Sequence, residues 1–437
     1  MRLWTSIFLL CGSAVSSEFD KGKWKEVKIK QGPVRGYRDS SSELWTFRNI
    51  PYATAPTDKN KFKAPLPPPT WTEPLDADGK RIICPQFYWG DLSKDAITQE
   101  NCLLANIYVP DTEKENLPVL VSVHGGAFQV GYADWVNLMN LMRYGDFILV
   151  NFNYRLGIHG FLCLGTADVP GNAGMKDQVA LLRWVQENIG NFGGNPNDVT
   201  ISGYSAGGSS VDLLMLSKAA EGLFHKVIPE SGASLLAFTV QSDPLSIAKN
   251  HAKALNFTDV DNIQALEDFY KTLPYDTLTA DAFLQNTDST FTFSPCVEND
   301  YWDEAFLTKS PLTILKTGDY KKVPVLFGFA NMEGDGQNFT VINEELISEE
   351  YKNMKKTIRE IWHNFIITGT PVPKESSLPA WPAVGVGNSP YMSLGQKLEL
   401  RKAIEPERFN FWQTIYQKYY KEPIPPPYSL SKTHTEL

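Results

Sequence analysis

The stretch VTISGYSAGGSS, residues 199–210, decides how the rest of the chain is read. Apolar residues come first, then Gly203-Tyr204-Ser205-Ala206-Gly207, then a segment that continues with helical character to Leu216. This pattern is a buried strand, a tight turn and a helix start, with Ser205 at the bend. Gly-X-Ser-X-Gly in that setting is a nucleophile elbow. The serine occupies a strained strand-to-helix turn, and small neighbours keep the backbone from clashing. The helix N-terminus beyond it favours developing negative charge. The motif by itself is a weak signal, because ordinary Gly and Ser usage produces chance matches. Its strand-before, helix-after context makes it specific. The bland alternative is a Gly-rich turn without chemistry.

Working outward, LPVLVSVHGG (117–126) and DFILVNFNYR (146–155) are continuous apolar runs. KVIPES (226–231) and VPVLFGFA (323–330) read as further strands. Between them, Ala173 to Ile189 carries apolar residues at helical spacing, with Leu181, Trp184 and Val185 on one side. Nearly all-apolar strands separated by helices imply an α/β fold with a mostly parallel sheet covered on both faces. Ligand sites in such folds collect at the carboxyl ends of the strands. His124-Gly125-Gly126-Ala127, Ser205 and Glu333 each follow a buried strand. Upstream, residues 24–50 alternate loosely and read as an antiparallel hairpin. Residues 51–90 are Pro-rich loop, and Asn106 to Val109 a strand. Residues 235–320 read as mixed helix and loop, an excursion over the strand ends. Long helices are expected from about Ile347 to Ile367 and from about Pro406 to Tyr420, before a Pro-rich run from Pro423 to Pro427. No internal repeat or linker divides the chain, which is read as one domain over residues 18–437.

Composition narrows the function. The chain has 437 residues, 42% apolar and 21% charged, which fits a globular protein. A net charge of −9 with no basic stripe points away from nucleic acid. No spacing suggests a metal site, and no cofactor is implied. MRLWTSIFLLCGSAVSS, residues 1–17, has one basic residue, an apolar run from Leu3 to Leu10 and small polar residues after it. That is the pattern of a secretory signal peptide, with a buried first strand as the alternative. The run is too short to span a bilayer, and no later stretch is long enough. Secretion permits disulfides. Cys84 and Cys102 flank a polar segment that a disulfide could close. Cys163 and Cys296 sit in apolar surroundings, as buried thiols or as a pair. The sequons Asn256-Phe257-Thr258 and Asn338-Phe339-Thr340 could carry glycans where exposed.

HGGAF, residues 124–128, follows a strand. Its glycines allow close backbone approach, and consecutive N–H groups can point at one oxygen. With the N–H after the nucleophile, such a loop forms an oxyanion hole. The alternative is an ordinary Gly-Gly turn. His124 itself is read as orienting the loop.

Motifs along most of the chain resemble those of the type B carboxylesterases, secreted α/β-hydrolases that include cholinesterases and insect esterases. FRNIPYA (47–53), ENCLLANIYVP (100–110), HGGAF, NYRLGIHGFL (153–162), the long run from Gly171 to Gly208, and later WHNFIITGTP and WPAV follow in family order. The resemblance implies an α/β-hydrolase fold and a serine esterase. It makes Ser205 the nucleophile and Gly126, Ala127 and Ala206 the oxyanion donors. It also makes Cys84 to Cys102 the first disulfide loop. FGFANMEGDGQNF (327–339) looks like the motif of the acidic triad member, placing it on Glu333, with Asp335 as the neighbouring alternative. Tyr204 stands where many members carry glutamate, which argues against a preference for cationic substrates. Ala127 replaces a common third glycine, and its backbone N–H is the part that works.

One departure is severe. A hydrolase of this type needs a histidine after the acidic residue. Only His363 and His434 follow Glu333. His363 falls in a segment like a family helix that comes after the catalytic histidine, at an ordinary position. His434 lies three residues from the end, where nothing fixes the geometry a base needs. Glu333 and Trp362 are 29 positions apart, far fewer than the family places there. The expectation is an internal deletion between about 340 and 360 that removes the last core strand, part of the active-site wall and the histidine. Exposed apolar surface on the sheet should follow. Two functions remain: a secreted carboxylic ester hydrolase with impaired activity, taking a small or medium-sized ester, or a non-catalytic binding or adhesion protein. Retention of Ser205 favours the first. Xenobiotic, hormone or pheromone, and dietary esters all stay open as substrates.

Overall fold

A computed structural model describes residues 19–39, 44–87, 96–136, 138–142, 145–279, 290–300, 304–330, 348–385, 389–395, 397–402 and 405–427. The leader segment 1–17, Glu333, Asp335, Asn338 and His434 lie outside the described residues. The chain divides into two compact units. The larger comprises Ser13–Asn137, Phe147–Glu333 and Pro423–Leu437; the smaller comprises Met1–Gly12, Leu138–Asp146 and Gly334–Glu422.

The larger unit is built on a mixed sheet. Its strands are β1 (Phe19–Ile29), β2 (Gly32–Asp39), β3 (Leu44–Pro51), the two-residue β4 (Leu75–Asp76), β7 (Leu104–Pro110), β8 (Leu117–Val123), β9 (Ile148–Phe152), β10 (Gly194–Tyr204) and β11 (Lys226–Glu230). Two short strands between them, β5 (Ile82–Ile83) and β6 (Ile97–Thr98), pair with each other. The order across the main sheet is β1-β2-β3-β7-β9-β8-β10-β11, with β4 beside β2. The parallel character read from the apolar runs holds for β9, β8, β10 and β11. Along the order from β1 to β9 the ladders are antiparallel, while β4 pairs parallel with β2. Connection length accounts for the first of these pairs. Only Lys30 and Gln31 link β1 to β2, and a link that short can only reverse the chain. By contrast, helices Gly157–Phe161 and Ala173–Asn188 lie in the crossover from β9 to β10, and helix Ala206–Leu216 in that from β10 to β11.

The order β9-β8-β10 fixes the position of the site. From β8 the chain crosses to β9 on one side, then returns past β8 to β10 on the other. A crevice opens where successive crossovers diverge like this, at the carboxyl ends of β8 and β10. Register aligns those ends, with Val123 beside Gly203.

The sheet ends on residues 323–330, the expected fifth strand. This segment runs parallel to β11 through bridges Val227 to Val325 and Glu230 to Gly328. Four backbone hydrogen bonds of 2.8–3.0 Å hold it there, including Val227 N to Pro324 O and Ser231 N to Gly328 O. Among the described residues no strand pairs with its outer side. Phe327 and Phe329 are 49% and 56% exposed, in keeping with the expected bare apolar surface. The excursion after β11 carries helices Pro244–Ala254, Ile263–Thr272, Tyr275–Thr279 and Pro311–Thr317. Asp243, Asn262 and Ser310 cap three of them, each accepting from the backbone N–H three residues on.

In the smaller unit, the long helix expected near 347–367 is Glu349–Thr368, and it buries Ile361, Phe365 and Ile366. Strands β12 (Tyr391–Leu394) and β13 (Leu398–Arg401) form a hairpin. Helix Pro406–Tyr419 matches the expected segment and leaves Phe409, Phe411, Trp412 and Tyr419 exposed.

A buried ion pair ties the crossover helix to the strand ends. Asp177 Oδ2 accepts from the Arg155 backbone N–H at 3.0 Å and from Nε at 2.8 Å, while Oδ1 accepts from Nη2 at 2.6 Å. Arg155 Nη1 also donates to the Lys61 and Lys63 carbonyls at 3.0 and 2.8 Å. Both side chains are almost fully buried. Removing one partner strands the other charge away from water. Asp177→Ala should therefore lower unfolding free energy by about 3–5 kcal/mol in chemical denaturation.

His159, buried in helix Gly157–Phe161, gives a pH dependence. Burial, and after it the nearby Lys61 charge, pushes its pKa down from 6.5 to about 3. The unfolded chain then binds the extra proton first. This contribution is fully present above pH 6.5 and is lost as pH falls from there toward 3. Urea titrations should show stability falling by about 1.4 kcal/mol per pH unit below this threshold for the one group. His159→Gln should reduce that slope.

Candidate active site

Ser205 sits at the end of β10 with φ 56° and ψ −122°, and helix Ala206–Leu216 begins at the next residue. Such a backbone costs a non-glycine residue on the order of 1–3 kcal/mol and persists only where its surroundings hold it. They do so at both peptide ends. Ser205 N donates to Glu230 O at 2.8 Å, and Ser205 O accepts from Ser209 N at 2.9 Å. The flanking small residues are sterically required. A Cβ on Gly207 would lie 2.2 Å from Val123 O. On the facing loop, a Cβ on Gly125 would lie 2.5 Å from Tyr204 O and 3.3 Å from Ser205 Cβ. The elbow and the loop after β8 therefore touch, backbone to backbone.

That loop contains HGGAF. Gly126, Ala127 and Phe128 follow one another with φ of 104°, 57° and 60°. Gly126 O accepts from Gln129 N at 2.9 Å and Val130 N at 3.0 Å, while Phe128 O accepts from Gly157 N at 2.7 Å. Among the described residues no backbone carbonyl accepts from the N–H of Gly126, Ala127 or Ala206. Ala127 and Ala206 are buried. Three uncommitted amides thus lie on the two segments that meet at Ser205, which suits them to an external oxygen.

His124 is buried, stacked on Tyr154 with ring centroids 4.3 Å apart. Its Nδ1 lies 2.8 Å from Gly125 O, and Tyr154 Oη donates to His124 O at 3.0 Å. Burial pushes its pKa down to about 4, so the ring is neutral at neutral pH. These contacts suit the loop-orienting part read from the sequence. Glu230, whose carbonyl receives Ser205 N–H, has its carboxyl pushed up to about 8 by burial.

The remaining sequence candidates divide. The continuation from residues 323–330 toward Glu333 falls outside the described residues. His363 belongs to the smaller unit, on helix Glu349–Thr368, with Nε2 3.8 Å from Asp146 Oδ2. Cys84 and Cys102 form the expected disulfide, and Cys163 pairs with Cys296. Sequence reasoning left that second pair open. Once Cys11 is assigned to the leader and Cys84 to Cys102, cysteine counting favours it. Asn256 is exposed just past helix Pro244–Ala254. Among the described residues no acidic, His or Cys cluster could hold a metal, and no helix is long and apolar enough to cross a membrane.

A model of the carboxylesterase family matches residues 23–348. The chain is similar to a carboxylic ester hydrolase of Bombus ignitus, 36% identical over 336 residues, covering 75% of this chain and 60% of that protein. It is 37% identical to a para-nitrobenzyl esterase of Bacillus subtilis, covering 70% of this chain and 63% of that one. It is 35% identical to a juvenile hormone esterase of Heliothis virescens, covering 74% and 60%. A solved structure of a thermophilic PNB esterase superimposes with a TM-score of 0.75 at 25% identity, over 88% of this chain and 99% of that chain. The chain spans about 60% of the length of the curated relatives it matches. Its sheet with flanking helices is an α/β-hydrolase fold, and the chain belongs to the carboxylesterase family.

Proposed function

We propose that this protein is a secreted serine hydrolase of carboxylic esters, and that the chain as it stands turns over slowly. The observation that carries the reading is Ser205, held at φ 56° beside three uncommitted amides at the switch point of the sheet. In this reading Ser205 Oγ attacks the ester carbonyl. The N–H groups of Gly126, Ala127 and Ala206 hold the tetrahedral oxyanion, the alcohol leaves, and water releases the acyl group. Glu333 is the acidic member by motif. Of the two histidines after Glu333, His363 lies on helix Glu349–Thr368 and His434 three residues from the last; in this reading neither is the base, and proton transfer from Oγ is unassisted at neutral pH. Oxyanion stabilisation alone leaves residual catalysis over water.

The substrate is a small or medium-sized carboxylic ester. Tyr204 in place of a glutamate argues against cationic alcohols. Secretion is supported by the leader pattern of residues 1–17 and by two disulfides, which persist in oxidising compartments. Asn256, exposed within its sequon, is a glycan acceptor in this reading, and Asn338 is a second. The competing function, a non-catalytic binding protein, keeps the fold and makes Ser205 a relic.

Hydrolysis of p-nitrophenyl acetate separates the two. Slow turnover, about 10⁴- to 10⁶-fold below an intact triad, should disappear in Ser205→Ala. Rates equal to Ser205→Ala favour the binding protein, and rapid turnover would overturn the claim of a missing base. Expression through a secretory pathway should yield a glycosylated product whose mass falls on amidase treatment. Asn256→Gln should remove one glycan, and an unglycosylated secreted product would refute that assignment.

A further inference from the structure

The oxyanion loop adopts three left-handed residues in succession, two of them bearing side chains. Such a run persists only if neighbouring structure imposes it. Two glutamines tie its C-terminal end to neighbouring segments. Gln86 exchanges two bonds with Gly131. Its Nε2 donates to Gly131 O at 2.9 Å, and its Oε1 accepts from Gly131 N at 2.8 Å. The same Nε2 reaches Cys84 O at 3.1 Å, and Cys84 is bonded to Cys102. Gln86 therefore fastens the loop's end to a disulfide-closed segment.

The buried Gln129 donates from Nε2 to Phe293 O. Phe293 opens a strap, residues 293–299, that is buried throughout. The strap is itself tied down at several points. Gln241 N donates to Pro295 O at 2.8 Å, and Asn172 exchanges two bonds with the Cys296 backbone at 2.8 and 2.9 Å. Lys176 pairs with Glu298 at 2.6 Å, and Cys296 is bonded to Cys163. The strap is thus a rigid anchor, and Gln129 is its link to the loop.

We propose that Gln86 and Gln129 are positioning residues for the oxyanion hole: each ties the loop carrying the Gly126 and Ala127 amides to a disulfide-pinned segment. The inference rests on reading those amides as oxyanion donors. Neither glutamine reaches a reacting atom in this account. They act through the loop backbone, where a shift of about 1 Å in donor position is enough to cost up to a hundredfold in rate.

The test replaces each glutamine by methionine, which keeps the length of the side chain and removes the amide. Hydrogen–deuterium exchange is followed in peptides spanning residues 124–131, with residues 203–210 as an internal reference. Gln129→Met and Gln86→Met should each speed exchange in the loop by about tenfold while the elbow peptide is unchanged. In parallel, residual kcat on p-nitrophenyl acetate should fall about tenfold, with KM within about twofold of the parent. Unchanged loop exchange in both variants would overturn the proposal, as would faster exchange with unchanged kcat. If the parent chain turns over no faster than Ser205→Ala, the hydrolase reading fails, and the exchange measurement alone decides whether the glutamines set the loop. Should Gln129→Met fail to fold, Gln86→Met, on the partly exposed flank, carries the same comparison.

Discussion

The constraint on which the site depends is the close backbone approach of three segments at one edge of the sheet. The turn at Ser205, the loop after β8 and the end of β11 meet with no side chain between them. A methyl group at Gly207 or Gly125 would drive into a carbonyl oxygen at 2.2 or 2.5 Å. Because the segments touch through backbone, peptide groups do the positioning. Ser205 N is bound by Glu230 O, and Val123 is aligned with Gly203 by the ladder itself. Strain at Ser205 is then sustained by the sheet rather than by any one side chain.

Sheet topology supplies that constraint. Successive crossovers place β9 and β10 on opposite sides of β8, the strand order that favours a ligand site at the carboxyl ends of β8 and β10. The antiparallel half, β1 to β7, lies beyond β9 in the strand order, on the side away from β10. Buried polar networks pin the connections. Arg155 with Asp177 holds the start of the crossover from β9 to β10, and Lys176 with Glu298 fastens the strap to the helix Ala173–Asn188 within it. Each is costly to break, because a lone charge would remain without water. Beyond β11 the order weakens. Residues 323–330 pair through isolated bridges, and their outer side carries exposed Phe327 and Phe329. A sheet edge so furnished is a surface that another strand would ordinarily cover.

Much of this was legible in the residues. The apolar runs at 117–126, 146–155 and 199–205 became β8, β9 and β10, because a strand buried on both faces must be apolar on both. The helices at Ala173–Asn188 and Ala206–Leu216 followed their periodicity closely. The antiparallel half was less visible, since pairing direction depends on which strands become neighbours, and β7 pairs with β3 and β9 across long intervals of sequence. Gln86 and Gln129 gave no signal at all. A glutamine in a sequence looks like any solvated side chain until folding brings a carbonyl such as Phe293 O, 164 residues away, within its reach.

By itself the sequence determined the Gly-X-Ser-X-Gly turn after a strand, the family motifs in their order, and that only His363 and His434 follow Glu333. These are matters of residue type and short-range order, set by local sterics and by which groups the chain contains. Tertiary structure alone decided that Cys163 pairs with Cys296, that the sheet is mixed, and that Gln86 and Gln129 bond the loop beside Ser205 to distant segments. The physical reason is distance along the chain. Contacts between residues far apart in sequence are fixed by packing and backbone hydrogen bonding, and these exist only once the sheet has assembled.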